Sequence, residues 1–306
     1  MGLPWCDHHC HLADETWEQD VVEAEGTGLC FVLDVGVDEV TSAAAVRRAE
    51  ARPGFVWATA GVHPHEASAG LGSIAELLRH PRVVAVGECG LDYHYEHSPR
   101  DVQRDVFCRQ LELARSFRLP VVIHCREAFE DTLAILREVG LPERGAVLHC
   151  FTGDRSEARR CLDLGLHLSF SGIVTFPSAG ALREVAAWCP AERLLVETDS
   201  PYLTPVPLRG KAKHAVEGRP RRTRGGGSTW NRPRRARPAH HLQRVPAVRH
   251  PAPLFLWRCD LTVTYTELRR LLDRYSIRPR KALGQHFVVD PNTIRRIVEL
   301  ADLSPV

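Results

Sequence analysis

Eight short β-rich runs recur along the first two-thirds of this 306-residue chain, at 5–11, 29–37, 56–63, 83–90, 120–125, 145–150, 167–174 and 194–200. Both alternations of each run are apolar, as strands covered on two faces require. Segments of helical period lie between them. Over 102–117 the apolar residues Val102, Val106, Phe107, Leu111, Leu113 and Ala114 fall three or four apart. The stretches 128–139 and 181–188 read the same way, and Ser156 opens an amphipathic run that Gly165 stops. Strand and helix alternating about every 25 residues is the pattern of a parallel sheet. Eight repeats predict an α/β fold, a closed TIM (β/α)₈ barrel, over an open doubly wound sheet. No glycine-rich GxGxxG follows an early strand, which argues against dinucleotide binding.

Such a barrel carries its chemistry at the C-terminal ends of its strands. Six potential metal ligands fall at the ends of the runs: His9 and His11, Glu88, His124, His149 and Asp199. Strand side chains alternate with period two, so His9 and His11 point to one side and can grip one cation. Glu88 offers two oxygens and could bridge two cations. His124 and His149 would hold the second, while Asp199, beside the first strand, could ligate the first and take a proton from attacking water. Two ions about 3.5–4 Å apart lower the pKa of bound water and steady the attacking and leaving oxygens. This reading makes the chain a metal-dependent hydrolase with Asp199 and Glu88 as catalytic residues. Four imidazoles and two carboxylates suit Zn²⁺ or Mn²⁺, and phosphodiester chemistry often uses Mg²⁺.

Weaker candidates surround the six. His63 and His65 follow the third run, where His63 could contact a substrate phosphate, and Arg126 lies two residues beyond His124, placed to pair with an anion. Asp92, Tyr93 and Tyr95 read as a loop whose rings pack or stack on bases. Cys10, Cys89, Cys125 and Cys150 each adjoin a proposed ligand, and read as small buried strand residues. Ten cysteines without CxxC pairs suggest free thiols in a reducing compartment. No stretch approaches a membrane span, and the first residues lack the basic-then-apolar order of a secretory signal; the sequence reads as cytoplasmic.

The ordered set Asp-His-His-Cys-His-Leu, Gly-Val-His-Pro-His, Val-Gly-Glu-Cys-Gly-Leu-Asp-Tyr, Pro-Val-Val-Ile-His-Cys-Arg-Glu-Ala, His-Cys-Phe-Thr-Gly and Glu-Thr-Asp-Ser-Pro-Tyr-Leu resembles the TatD family of metal-dependent deoxyribonucleases across about residues 5–211. The resemblance implies a TIM barrel of the amidohydrolase superfamily type. It also implies hydrolysis of DNA phosphodiesters, commonly as a 3′→5′ exonuclease on single strands. It implies His9, His11, Glu88, His124, His149 and Asp199 as ligands to two divalent ions, and His63 near the substrate phosphate. Two other readings stay open: a hydrolase of small amides, lactones or phosphotriesters on the same ligand set, and an inactive barrel carrying a basic nucleic-acid-binding segment.

The remainder of the chain departs from this pattern. The net charge of +2 conceals 18 Lys/Arg against 31 Asp/Glu in 1–208, and 14 against one in 209–258. The Arg/Pro-rich stretch 212–260 has no apolar period, so it is expected to be disordered. Residues 261–306 form a short tail with helical patterning, and from Ile277 onward it resembles the N-terminus of the ribosomal RNA adenine dimethyltransferase family. It ends before any glycine-rich loop, so no S-adenosylmethionine site is expected. The barrel is thus expected to be truncated after its eighth strand, with a shifted reading frame after about Lys211 as the origin of the tail.

Overall fold

In a computed structural model, residues 6–26 and 29–203 are described. The expected disordered segment and helical tail lie outside the described residues. Eight strands run in chain order in one parallel sheet: β1 (Asp7–Cys10), β2 (Val32–Asp34), β3 (Val56–Ala60), β4 (Val83–Asp92), β5 (Val121–Arg126), β6 (Ala146–Leu148), β7 (His167–Phe170) and β8 (Leu194–Val196). Seven helices join them: α1 (Trp17–Gly26), α2 (Glu39–Ala51), α3 (Ile74–Leu77), α4 (Arg100–Phe117), α5 (Phe129–Val139), α6 (Arg155–Leu164) and α7 (Gly180–Trp188). The (β/α)₈ expectation holds over these residues.

Most strands are shorter than the apolar runs that announce them, because several runs continue into the loops that carry polar groups. Two outlast their runs: β5 by one residue and, further, β4 by two. The latter pairs with β5 as far as Asp92 opposite Arg126. Glu88 therefore sits inside a strand, four residues before its end, and does not close one as the sequence pattern suggests. The register slips between Val86 and Cys89. Glycines at 87 and 90 make room there: a Cβ on Gly87 would lie 2.6 Å from the Val122 carbonyl oxygen, and one on Gly90 would collide with the His124 backbone. Both have positive φ, 140° and 135°, a region glycine adopts at little cost.

The sheet separates two apolar layers. Leu33, Val35, Val84, Ala85, Val122, Val147 and Leu195 fill the lumen, whereas the opposite alternation, including Val32, Ile123, Leu148 and Phe170, packs outward under the helices. Local signals set the helix ends. Asp38 with Thr41 and Asp154 with Glu157 form reciprocal capping boxes on α2 and α6. The cap on α6 lies two residues before Ser156, since a carboxylate reaches the exposed N–H groups better placed than the hydroxyl.

Polar groups close the barrel. The Asp7 carboxylate accepts from the Thr198 amide at 3.0 Å and from its hydroxyl at 2.6 Å. The Asp199 amide donates to the His9 carbonyl at 2.9 Å, and that of His11 to Ser200 at 2.8 Å. Burial raises the Asp7 pKa to about 7, against the Thr198 hydrogen bonds that lower it. On the outer face Asp34, fully buried, is held by Arg48 Nε at 2.7 Å, and the same guanidinium reaches Asp14 at 2.6 Å. This ties α2 to β2 and to the loop after β1.

Removing one partner of a buried ion pair leaves an uncompensated charge, at a cost of about 3–5 kcal/mol. Arg48→Met should lower the free energy of urea unfolding by about that amount, and adding Asp34→Asn should recover part of it. Equal loss in the single and double variants would show that the pair contributes nothing beyond packing.

Candidate metal centre

Period two carries the apolar lumen into a polar mouth. Val122 and Val147 face the lumen, so two residues further on His124 and His149 face the mouth. Leu195 is followed on the same alternation by Glu197 and Asp199. From β1 come His9 and, one residue past the strand, His11.

The five other expected donors gather around Glu88. Its Oε2 lies 3.2 Å from His9 Nε2 and 3.8 Å from His11 Nε2. Its Oε1 lies 2.8 Å from His149 Nε2, 3.0 Å from His124 Nδ1 and 3.5 Å from His63 Nε2. Asp199 Oδ1 stands 3.7 and 3.6 Å from the Nε2 atoms of His9 and His11, which are themselves 3.3 Å apart. The His9 and His149 rings stack at 3.9 Å and 12°. His149 thus lies against His9 as well as beside His124. Donor atoms cluster as His9, His11 and Asp199; as His9, Glu88 and His149; and as His63, Glu88 and His124.

The outer nitrogens decide which of these can bind a cation. His11 Nδ1 lies 2.9 Å from the Val35 carbonyl, so it carries the proton and Nε2 keeps its lone pair. His124 Nε2 lies 3.0 Å from Asp92 Oδ2, leaving the Nδ1 lone pair toward Glu88. His149 Nδ1 faces Glu197 Oε1 at 3.4 Å, leaving Nε2 toward Glu88. Three lone pairs thus point at carboxylate oxygens, an arrangement that only a proton or a cation between them relieves. Mixed imidazole and carboxylate donors of this kind suit a divalent transition metal. His63 is the opposite case. Its Nδ1 accepts from the His65 amide at 3.2 Å, so its Nε2 presents a proton to Glu88 and not a lone pair.

The electrostatics express the same demand for positive charge. Burial works to raise the Glu88 pKa, but His149, His63 and His9 hold it well below the carboxylate range. Burial lowers the His149 and His124 pKa values, yet Glu88 with Glu197 raises the first well above its ordinary value, and Asp92 with Glu88 raises the second. His11, lowered by burial, is lifted by Asp199 and Glu88 to about 8. Burial instead depresses His9, and takes His63 to about 3.

Two carboxylates went unassigned in the sequence. Asp92, 1% exposed, is the last residue of β4 and not a loop residue. Its Oδ2 faces His124 and His65, each at 3.0 Å, and its Oδ1 accepts the amides of His94 and Tyr95. Glu197 accepts the Cys150 amide at 2.7 Å while facing His149. Glu197 was findable, two residues before Asp199 on one alternation; Asp92 was hidden by the unexpected length of β4. Such outer partners fix ring orientation and tautomer around a metal.

Arg126 ends β5, exposed, with its guanidinium 4.7 Å over the Tyr95 ring, outside the cluster. Tyr93 packs: its hydroxyl donates to Asp131 at 2.6 Å, and Arg100 covers its ring at 4.3 Å. Burial pushes the thiols of Cys10, Cys89, Cys125 and Cys150 up, and the first two donate to strand carbonyls; Cys10, Cys89 and Cys125 are strand residues as read, whereas Cys150 lies in the turn after β6. Among the described residues eight cysteines are free thiols; Cys6 is disulfide-bonded, against the expectation for that residue. A cleft of about 570 Å³ adjoins His149 between the loops after β5 and β6, lined in part by Phe129, Phe151 and Gly153. No helix among the described residues is long and apolar enough to cross a membrane.

Residues 6–217 match the family model described as TatD related DNase. An uncharacterized metal-dependent hydrolase of Bacillus subtilis (strain 168), YabD, is 42% identical over 213 residues, covering 67% of this chain and 83% of its own length. The 3′-5′ ssDNA/RNA exonuclease TatD of Pantoea vagans (strain C9-1) is 46% identical over 195 residues, covering 62% and 75%. Among solved structures, the TatD homolog YJJV of Escherichia coli K12 superposes with a TM-score of 0.62 at 29% identity, covering 67% of this chain and 83% of that one. The chain therefore belongs to the TatD-related DNase family of metal-dependent hydrolases.

Proposed function

We propose that this barrel hydrolyses phosphodiester bonds of DNA, removing nucleotides from the 3′ end of a single strand, with two divalent cations as cofactors. The observation that carries the reading is Glu88, which turns one oxygen toward His9 and His11 and the other toward His124 and His149. His9, His11 and Asp199 would hold one ion, His124 and His149 the other, and Glu88 both. Divalent ions in such a site make water nucleophilic at neutral pH and offset charge on the phosphate oxygens. The relative from Pantoea, named as an exonuclease on single-stranded DNA and RNA, supports this choice of substrate. Mg²⁺, Mn²⁺ and Zn²⁺ are all candidates.

The chain's own groups then have distinct tasks. Burial works to raise the Asp199 pKa, but His11, His9 and His149 hold it below its ordinary value, so at neutral pH the carboxylate is ionised and can accept a proton from water. His63 Nε2 carries the proton that a phosphate oxygen would accept. Arg126 provides a fixed positive charge at the rim. Asp92 and Glu197 hold His124 and His149 in the tautomers that leave lone pairs inward. We further propose that residues beyond about 211 contribute no donor to this chemistry and derive from a shifted reading frame; resequencing the encoding region tests this, an unchanged sequence leaving a genuine fusion.

The full-length protein, loaded with each of the three ions, should release mononucleotides from the 3′ end of single-stranded DNA. Chelation should abolish that release. Activity on small amides or lactones, with none on DNA, would reject the reading.

Asp199→Asn should lower kcat by about 10²–10⁴-fold, the usual range for a lost general base. Asp92→Asn should cost about 10–100-fold in metal affinity or activity. Metal titration beside steady-state kinetics separates them: a variant at Asp92 that recovers at high metal concentration has lost affinity, whereas Asp199→Asn should not recover fully.

A further inference from the structure

Tyr95 is among the few large apolar side chains that the described residues leave exposed, at 52%. A single exposed ring is ordinary. Its surroundings are not. The Arg126 guanidinium lies 4.7 Å from the ring centroid. His94, His65 and His97 stand around it at 4.7, 5.5 and 5.7 Å, the first two edge-on. The backbone that carries the ring is tied to the edge of the donor cluster: the Tyr95 amide donates at 2.9 Å to Asp92 Oδ1, while the other oxygen of that carboxylate faces His124 and His65. His65 in turn stacks on His97 at 4.3 Å. The result is an aromatic surface bearing cationic character, fixed in position at the edge of the hydrolytic site, with half of its leading ring open to solvent.

A surface of that kind recognises planar, polarizable groups without reading their edges. A nucleobase can use it only when one of its faces is free, and a base in a duplex has both faces stacked on neighbours. We infer that Tyr95, stacked by Arg126, is a platform for an unpaired nucleobase close to the cleaved phosphate, and that it selects single strands over duplexes. The inference rests on the phosphodiesterase reading and narrows it. It gives Arg126 a second task, since a guanidinium on the ring fixes the ring as well as presenting charge. It requires no particular base and no particular sugar, because every base offers a π-face. The acidic cleft beside His149, lined by Glu127, Glu130, Asp131 and Glu157, is the less suitable route for a polyanion.

Binding is measured on the full-length protein in excess chelator, where no hydrolysis occurs, by fluorescence anisotropy of a 5′-labelled oligonucleotide. The intact strand is compared with strands carrying an abasic residue at each of the last four 3′ positions. Stacking is worth about 1–3 kcal/mol per base, or about five- to 140-fold in Kd. Wild type should lose that factor at one abasic position. Tyr95→Ala should lose it on the intact strand and nothing further at that position, while Tyr95→Phe should behave as wild type. Duplexes should bind both forms equally. The inference is overturned if Tyr95→Ala binds the intact strand as wild type does, if it keeps the wild-type abasic profile, or if wild type shows no binding. The same oligonucleotides with metal supply the separate test of the hydrolase: abasic coupling without hydrolysis removes the phosphodiesterase reading alone, and hydrolysis without coupling removes the platform alone.

Discussion

A carboxylate buried at 3% exposure in the mouth of a barrel is a severe electrostatic problem, and Glu88 poses it. Everything around the mouth is arranged as its answer. Four ring nitrogens approach within 3.5 Å of its two oxygens. Glycines on either side let β4 come close enough to β3 and β5 for those rings to reach it. Behind two of the rings, His124 and His149, stand further carboxylates, Asp92 and Glu197, and behind His11 the Val35 carbonyl. A neutral ring cannot cancel Glu88, and protons on all of the rings would overcompensate. The donor set fits a cation placed among these groups.

The sequence made the coarse architecture legible because a barrel strand buried on both faces is apolar throughout, and eight such runs admit few topologies. It also exposed His9, His124, His149 and Asp199, polar residues at the ends of those runs. It misplaced Glu88 as a terminal residue, since β4 continues beyond it on a stretch containing Asp92 that looks like a loop. Asp92 has no apolar neighbours in period, and its burial depends on pairing with β5, a non-local fact. His63 shows another limit. The Gly-Val-His-Pro-His stretch singled it out, but the proton on its Nε2 became evident only once the turn over Pro64–Ala69 brought the His65 amide to Nδ1.

Interior polarity also explains why the barrel closes where it does. Between β1 and β8 the regular ladder is replaced by an isolated bridge of Cys10 with Ser200, by backbone bonds to residues beyond β8, and by the Asp7–Thr198 pair. Side chains do work at this seam that backbone pairing does elsewhere in the sheet. The outer Arg48–Asp34 link braces the adjacent β1–β2 region, so the strand that carries His9 and His11 is fixed on both flanks.

The seam has a thermodynamic meaning as well. His9 and Asp199 are joined only through the closed ring, and their donor atoms are neighbours solely when the first and last strands have met. An ion held by both would bind the closed form and not the open chain, and its free concentration would stabilise the whole ring by mass action. Closure and loading would then be a single equilibrium read from two sides: a solution rich in the ion would hold the barrel shut, and a barrel that gaped at β1 and β8 would release it.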